Sequence, residues 1–418
     1  MSAVHQKVSI GKFTIKALSW NPSKQAYGTK INYIDLGSVD NVWKRIAQFQ
    51  HIEAELAPSR ARQRVQAGDI LVSTVRPNLN GVAQVPAELD GATASTGFCV
   101  LRADEINLSS RFLFHWVRTS AFVENMVRQS TGASYPAVTD RIIFASEMPL
   151  PKFSEQIEIA DLLDCVDRMR HKRNESDLVL SRLEFSIFNE MFGDPTSASG
   201  KYPLKALSNV VLKLEGGKNL VGADDVSGQS ELRVLKISAV SEHGFDPTET
   251  KPLPLDYTPP KSHFVQAGDL LISRANTSER VGLATLVGAD VDTRKLVLPD
   301  KLLRFVWRDP GTIDPQWMLG LLRHPSIRRR IESIATGTSG SMKNISQEKL
   351  LGLEVSVPPF ELQKDFSKRV YAINQLKINH AKHMNQLDKL FYSLQDRVFG
   401  GEAADVFSAD RNRMGIAV

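Results

Sequence analysis

The chain has 418 residues, of which 42% are hydrophobic and 24% are charged. Because a usual domain has roughly 100 to 150 residues, this length predicts more than one hydrophobic core. The composition excludes a mostly disordered, collagen-like or purely coiled-coil protein. The formal net charge of +5 permits a nucleic-acid partner without establishing one.

The N-terminal segment MSAVHQKVSIGKF lacks the apolar core of a secretion signal, and no apolar run reaches the roughly 20 residues of a membrane-spanning helix. We therefore expect a cytoplasmic protein. The two cysteines, Cys99 and Cys165, are too few for a disulfide framework and lack the spacing of metal ligands. We predict that each is a buried thiol.

The second half of the chain repeats the first. Residues 65–73 read VQAGDILVS and residues 265–273 read VQAGDLLIS. Other matching segments follow in the same order: IKALS at 15–19 with LKALS at 204–208, TGASYPAV at 131–138 with TGTSGSMK at 336–343, and FNEMFG at 188–193 with DRVFG at 396–400. Because chance is a poor explanation for several matches in the same order, we predict an internal repeat with pseudo-twofold symmetry.

Each copy begins with a turn-rich region, over residues 1–153 and 194–360. Short β-branched and aliphatic runs such as GDILVSTV and LLRFVW lie there between Gly, Asn and Pro residues, as strands do. Helical patterns, including SRFLFHWVRTSAFVENMVRQ and DPQWMLGLLRHPSIRRRIESIA, lie among them. We predict an α+β fold for each region, and we treat the two regions as tandem related domains.

A long segment without proline follows each domain, over residues 154–193 and 361–400, and its apolar residues recur every three or four positions. The first segment has 5 basic and 9 acidic residues, and the second has 7 basic and 4 acidic residues. Because flanking charges set partner choice in coiled coils, we predict that the two helices form an antiparallel coiled coil, a spacer about 55 to 60 Å long. The alternative, that each helix packs on its own domain, stays open.

Familiar catalytic motifs are missing from the sequence. The segment EGGKNL at 215–220 has the wrong spacing for a phosphate-binding loop, and PDK at 299–301 lacks the Glu-x-Lys partner of a metal-dependent nuclease. VPPF at 357–360 places Val where an amino-methyltransferase needs Asn or Asp. The nine histidines have no ligand spacing. We therefore predict that the chain is not an enzyme and holds no cofactor or metal of its own.

A polar loop follows each VQAGD strand, at 73–81 and at 273–282, and the loops differ while their flanks agree. Arginine can hold guanine through two hydrogen bonds, and asparagine can do the same with adenine. The candidate base-contacting residues are Arg76, Asn78, Asn80, Arg274, Asn276, Thr277 and Arg280. The alternative is ordinary loop chemistry, in which Asn and Gly set the turn and Arg is solvated.

A second candidate surface lies in the Gly- and hydroxyl-rich segments at 129–141 and 335–346. Small residues allow close backbone approach, while hydroxyl, amide and basic groups bind phosphate oxygens. The candidate residues are Arg128, Ser134, Tyr135, Arg141, Ser339, Ser341, Lys343 and Asn344. A helix-capping turn is an equally good interpretation of both segments. The densest basic run, Arg328 to Arg330, fits a solvated cluster as well as a phosphate contact.

Charge is uneven between the two domains. Residues 1–153 have 17 basic and 12 acidic residues, whereas residues 194–360 have 21 and 19. A DNA-binding surface in the second domain must therefore be local.

The whole chain resembles the DNA-specificity subunit of type I restriction-modification systems. The strongest signatures are GDILVS with GDLLIS, the TG-containing turns, and the boundary segments PLPKFSEQIEIADLLDCVD and SVPPFELQKDFSKRV. The first boundary is close to the family's Pro-x-x-x-Glu-Gln-x-x-Ile-Ala pattern. The second departs from it, because Leu362 precedes Gln363 and Phe366 takes the Ile position.

The resemblance implies a protein that reads a bipartite, gapped double-stranded DNA target, one half-site per target-recognition domain. It also implies methyltransferase (M) subunits and a restriction/translocase (R) subunit as partners. Those partners would bind S-adenosylmethionine, ATP and Mg, so no cofactor is expected on this chain. A non-enzymatic coiled-coil scaffold without sequence-specific DNA binding is the alternative. The polar residues 401–418 fit a disordered tail or a partner contact.

Overall fold

The computed structural model describes residues 6–132, 134–220, 231–242, 244–254, 256–337 and 342–400. The chain divides into two compact units. The first unit comprises residues 1–175 and 381–418, and the second comprises residues 176–380. Within the described ranges, no helix is both long enough and apolar enough to cross a membrane.

The first unit has a strand-rich body. Its strands are β1 (Lys7–Ser9), β2 (Thr14–Lys16), β3 (Leu18–Ser19), β4 (Lys30–Ile34), β5 (Val39–Asp40), β6 (Arg45–Ile46), β7 (Gln50–Glu53), β8 (Ala61–Arg64), β9 (Ile70–Ser73), β10 (Val82–Gln84), β11 (Thr93–Ser95), β12 (Phe98–Ala103) and β13 (Glu147–Pro149). One sheet has the order β10-β9-β12-β2 and a second has the order β3-β8-β11-β4-β7. Only the β11–β4 pair among these is parallel.

The helices of the first unit follow the strands. They are α1 (Pro22–Gln25), α2 (Ser110–Trp116), α3 (Ser120–Gln129), α4 (Asp140–Ala145) and the start of the long helix α5 (Phe153–Phe192). The pattern over 110–129 predicted one helix, but the chain breaks at Thr119, whose side chain accepts from the Phe122 amide and caps α3. Cys99 is buried as predicted, whereas the prediction for Cys165 is wrong, because its side chain is only partly covered.

The second unit repeats part of this strand order. Its strands are β14 (Leu204–Ala206), β15 (Val211–Gly216), β16 (Arg233–Leu235), β17 (Val240–Ser241), β18 (Gly244–Phe245), β19 (Thr250–Pro252), β20 (Leu270–Ser273), β21 (Ala275–Asn276), β22 (Ala284–Leu286), β23 (Leu296–Val297), β24 (Leu302–Trp307), β25 (Lys343–Asn344) and β26 (Glu354–Ser356). The sheet β22-β20-β24-β15 has the connectivity of β10-β9-β12-β2. The parallel pair β16–β23 corresponds to β4–β11.

The helices of the second unit are α6 (Pro315–Arg323), α7 (Pro325–Ile334), α8 (Gln347–Leu351) and the start of the long helix α9 (Phe360–Phe399). The pattern over 314–335 predicted one helix here too. Pro325 instead begins α7, and the His324 side chain caps it by accepting from the Ser326 amide.

The ends of the long helices are buried in the cores. In the first unit, Ile159 and Leu163 of α5 and Phe391 and Val398 of α9 pack in one hydrophobic cluster with Phe112. In the second unit, the corresponding cluster contains Phe188 and Phe192 of α5, Phe366 and Val370 of α9, and Trp317. Each core therefore holds one end of both helices.

Polar pairs join α5 and α9 between these buried ends. In the second unit, His380 Nδ1 lies 2.7 Å from Asp177 Oδ1, and Lys377 Nζ lies 3.6 Å from Glu184 Oε2. The partner numbers fall on α9 as they rise on α5, so the helices run antiparallel there. In the first unit, Arg170 Nε donates to Asp388 Oδ1 over 2.7 Å.

A buried glutamine fixes the start of each long helix. Gln156 accepts from the Ser109 amide over 2.9 Å and donates to the Pro151 carbonyl over 3.0 Å. Gln363 accepts from the Asp314 amide over 2.9 Å and donates to the Pro358 carbonyl, also over 2.9 Å. These bonds explain physically why both boundary segments have Gln at this position.

Candidate nucleic-acid interface

The repeated VQAGD segment forms a rigid turn in the first unit. Gly68 has φ +90°, a backbone conformation that favours glycine. Asp69 is 2% exposed, and its Oδ2 accepts from the Gln66 amide over 2.8 Å. Arg102 of β12 binds the same carboxylate through two bonds of 2.7 Å, from Nε and Nη2. The turn therefore has a structural role, which is to fix where β9 begins.

The second unit builds the same turn. Gly268 has φ +86°, and Asp269 Oδ2 accepts from the Gln266 amide over 2.8 Å. Arg304 of β24 binds this carboxylate over 3.1 Å and also donates to Glu215 Oε2 over 2.7 Å. The strands β9 and β20, which precede the candidate loops, therefore begin at equivalent turns.

The structure brings the two predicted surfaces of the first unit together. Val75 forms an antiparallel bridge with Ala137, and the Arg76 amide donates to the Pro136 carbonyl over 2.7 Å. The Arg76 guanidinium carbon lies 4.8 Å from the centroid of the Tyr135 ring. Both side chains are exposed, so a loop after β9 and a turn before α4 form one surface.

The first loop has a strained backbone. Arg76 and Asn80 have φ +50° and +46°, so two non-glycine residues have left-handed conformations on either side of Pro77–Leu79. Such conformations cost on the order of 1 kcal/mol or more each and persist only where contacts hold them. Here Lys44 Nζ donates to the Asn80 carbonyl, and Asn80 Nδ2 donates to the Arg118 carbonyl over 3.3 Å. Burial, with the nearby Arg118 charge, lowers the pKa of Lys44 to about 8.

The second unit joins the equivalent segments through a short strand pair. Ala275 pairs with Asn344 and Asn276 pairs with Lys343. The Ile345 amide donates to the Arg274 carbonyl over 2.9 Å. This β21–β25 pair corresponds to the Val75–Ala137 bridge of the first unit.

Arg328 and Gly282 help to fix the position of the second loop. Arg328 donates to the carbonyls of Val281 and Glu279 over 2.9 and 3.2 Å. At Gly282, which has φ +77°, an added Cβ would lie 2.2 Å from Ile331 Cγ2. The sequence did not identify Lys44 or Arg328 as loop supports, because each lies far along the chain from the carbonyls that it binds.

The remaining predicted residues differ in their exposure and in the hydrogen bonds that they already form. Asn78, Thr277 and Arg280 are exposed on the two loops, while Asn276 Oδ1 already accepts from the Thr277 amide over 2.9 Å. Lys343 Nζ donates to the Gly337 carbonyl over 2.9 Å. The other exposed members are Arg128, Ser134, Arg141 and Asn344. Ser339, Ser341 and the tail 401–418 lie outside the described residues.

The basic run at 328–330 is mainly structural. Arg330 donates to the carbonyls of Glu354 and Thr196 over 3.0 and 3.1 Å, and Arg328 supports the loop as described above. Arg329 is exposed. Among the described residues, no group of three or more His, Cys, Asp or Glu side chains is arranged to hold a metal ion.

Comparison with known proteins places these features in context. The model of a family described as "Type I restriction modification DNA specificity domain" matches residues 20–177. The EcoKI type I restriction enzyme specificity subunit of Escherichia coli (strain K12) is 22% identical over 95% of this chain and 88% of its own length.

Two solved structures have a similar fold. A chain from a structure of the complex assembly and conformational transition of a type I R-M system is 23% identical, with a TM-score of 0.57 over 95% of this chain and 98% of that chain. The S subunit of a type I restriction-modification system from M. genitalium is 13% identical, with a TM-score of 0.53 over 94% and 96% of the two chains. These likenesses agree with the predicted α+β fold.

Proposed function

We infer that this chain, a member of the type I restriction-modification DNA-specificity family, is the non-catalytic subunit that recognises the DNA target of such a system. The observation that carries this inference is the paired arrangement of loops. In each unit, the loop after the VQAGD strand is tied by backbone pairing to the TG-containing segment. The backbone arrangement of these loops agrees between the units, whereas their exposed side chains differ. Such a difference is required if the two units recognise different DNA sequences.

We propose that the target is bipartite and gapped, with one half-site for each unit. Arg76, Asn78 and Asn80 are the candidate base contacts of the first unit, and Arg274, Asn276, Thr277 and Arg280 are those of the second. Arg128, Ser134, Tyr135, Arg141, Lys343 and Asn344 are candidate phosphate contacts. The exposure of most of these side chains supports this assignment.

We further propose that α5 and α9 form an antiparallel coiled coil that fixes the gap between the half-sites. The His380–Asp177 and Lys377–Glu184 pairs support the antiparallel direction. In each unit, one end of α5 and one end of α9 are buried together in the core, which supports the pairing of the two helices.

Partners supply the chemistry in this proposal. The chain would assemble with M subunits and an R subunit in the cytoplasm, and those partners would bind S-adenosylmethionine, ATP and Mg. This chain would contribute DNA recognition and docking surfaces, and no cofactor site.

Genome-wide adenine methylation tests the proposal. Cells would express the cognate M subunit alone, or together with this chain, and the sequence around each modified adenine would be read. We expect a gapped two-part motif only when both proteins are present. An assembled and active M subunit that methylates no such motif would contradict the proposal and favour a coiled-coil scaffold.

A further inference from the structure

Two short segments without a role in the proposed recognition loops meet in the second unit. Gly216-Gly217-Lys218 ends β15, and Pro299-Asp300-Lys301 precedes β24. The Gly217 amide donates to the Pro299 carbonyl over 2.8 Å, and Lys218 forms a parallel bridge with Pro299. A Cβ at Gly217 would lie 1.7 Å from the Leu298 carbonyl oxygen. Only glycine permits this approach, which places Lys218 and Lys301 at one cleft.

The cleft is lined by four lysines and one carboxylate. Its volume is about 350 Å³, and its charged lining residues are Lys218, Lys236, Lys251, Lys301 and Asp300. Apolar side chains, including Val234 and Ile237, form part of the wall. This is a concentrated positive charge in a region, residues 194–360, that has 21 basic and 19 acidic residues overall. It is the kind of local basic surface that DNA binding by this unit requires.

Contacts orient three of the lysines. Lys218 Nζ lies 5.2 Å from the centroid of the Tyr257 ring, and Lys251 Nζ donates to the Leu220 carbonyl over 3.4 Å. Lys236 Nζ lies 3.9 Å from Glu249 Oε2, a long ion pair between half-exposed side chains. The Tyr257 ring contacts Lys218 without neutralising its charge.

The cleft adjoins the candidate base-reading loop. The Lys301 carbonyl accepts from the Arg274 amide over 3.0 Å, and Arg274 directly precedes β21. A ligand held by Lys301 would therefore lie near the side chains that this loop presents.

The first unit does not repeat this charge. Gly97 precedes β12 at the position where Lys301 precedes β24, since Phe98 pairs with Ser73 as Leu302 pairs with Ser273. Asp35 likewise precedes a short 3-10 turn at the position of Lys236. The cleft is thus a property of the second unit, and the duplicated frame alone does not account for it.

We propose that this lysine cleft binds a phosphate of the DNA backbone beside the half-site that the second unit reads. This inference rests on the proposed DNA-recognition function and adds residues to it. Lysine is a flexible point charge that binds phosphate without reading bases, so the cleft contributes affinity and register while the loop supplies specificity. A free phosphate-containing anion offers the same chemistry, and the experiment separates the two sources.

The test is the salt dependence of DNA binding by the full chain. The variant Lys218→Gln/Lys301→Gln removes two cleft charges, and Lys205→Gln/Lys349→Gln removes two exposed charges of the same unit outside the cleft. Binding would be measured to a target duplex and a non-target duplex at several salt concentrations. We expect the cleft variant to lower the slope of log K against log salt by about 0.9 for each lost contact on both duplexes, with the ratio of the two affinities unchanged.

Two results would overturn the assignment. One is a slope that is the same for the cleft variant, the control variant and the wild type. The other is an equal reduction in the control variant, which would show a general charge effect. If calorimetry shows that inorganic phosphate binds the wild type but not the cleft variant, while the DNA slope is unchanged, the ligand is a free anion. Failure of the wild type to prefer its target would instead contradict the proposed function. The salt slopes would still decide whether the cleft binds DNA phosphate.

Discussion

The loop after β9 and the loop after β20 leave equivalent sheets at equivalent positions, but they are held in different ways. The first loop keeps Arg76 and Asn80 in left-handed conformations, and Lys44 and Tyr135 brace them. The second forms a regular strand pair with β25 and rests on Arg328. The duplicated core therefore fixes where a reading surface begins, while contacts outside the core fix its shape. Such a division allows the two surfaces to diverge without loss of the fold.

The largest difference that we expect concerns the carboxylates of the two VQAGD turns. Asp69→Asn leaves Arg102 without its charged partner, and we expect a loss of about 3 kcal/mol in the free energy of unfolding. Asp269→Asn leaves Arg304 bound to Glu215, so its loss should be about 1 to 2 kcal/mol. Urea denaturation of both variants would measure the difference. Equal losses would show that the two turns are equivalent in energy as well as in geometry.

Glycine at the end of each loop gives a second contrast. Gly282→Ala would place a Cβ 2.2 Å from Ile331 Cγ2 on a left-handed backbone, and we expect destabilisation by about 2 to 3 kcal/mol. At Gly81, an added Cβ would lie 3.0 Å from Asn41 Oδ1, so Gly81→Ala should cost about 1 kcal/mol. Denaturation in urea would again compare them, and a larger cost at Gly81 would contradict the described packing.

The Tyr135 ring contacts Arg76 in the first unit. Tyr135→Ala should reduce discrimination at the first half-site by about 1 kcal/mol, because the guanidinium loses the ring that orients it. Tyr135→Phe keeps the ring and is the matched control. Competition binding with duplexes altered in one half-site would measure the effect. An equal loss in the Phe variant would show that the hydroxyl matters and the ring does not.

The smallest effect that we expect is the titration of Lys44. Its pKa falls from 10.5 to about 8 on folding, mainly through burial. Between these values the unfolded chain binds more protons, so this residue makes the free energy of unfolding rise as pH rises through the window. The free energy of unfolding of the wild type, minus that of Lys44→Met, should therefore rise from about pH 7 to pH 10. With allowance for solvent screening of this partly exposed group, we expect a rise of about 1 kcal/mol.

An exposed lysine of the same unit provides the control for that titration. The matched variant is Lys24→Met, which replaces an exposed lysine of the same unit. If both variants follow the same curve, Lys44 does not titrate in this window.

The sequence predicted some of these features because their signals are local. The long helices lack proline and keep one apolar period, and α5 and α9 begin and end within one residue of the predicted ranges. The VQAGD repeat likewise marked the two equivalent strands β9 and β20. The breaks at Thr119 and His324 were missed, because a capping side chain overrode the helical pattern there.

Features that depend on distant residues could not be read from the sequence. Lys44 and the Asn80 carbonyl are 36 residues apart, and Arg328 and the Val281 carbonyl are 47 residues apart. Lys218 and Lys301 come together only because Gly217 lets two backbones approach. The candidate loop residues were identifiable by type, but their braces and the lysine cleft follow from tertiary packing.

The most direct test of separate reading is the methylated motif produced with two single variants. Cells would express the cognate M subunit with the wild type, with Arg76→Ala or with Arg274→Ala, and the sequence around each methylated adenine would be compared. We expect each variant to relax one half of the gapped motif, by about 1 to 3 kcal/mol of discrimination, and to leave the other half unchanged. Relaxation of both halves by either variant would contradict the account in which each unit reads its own half-site.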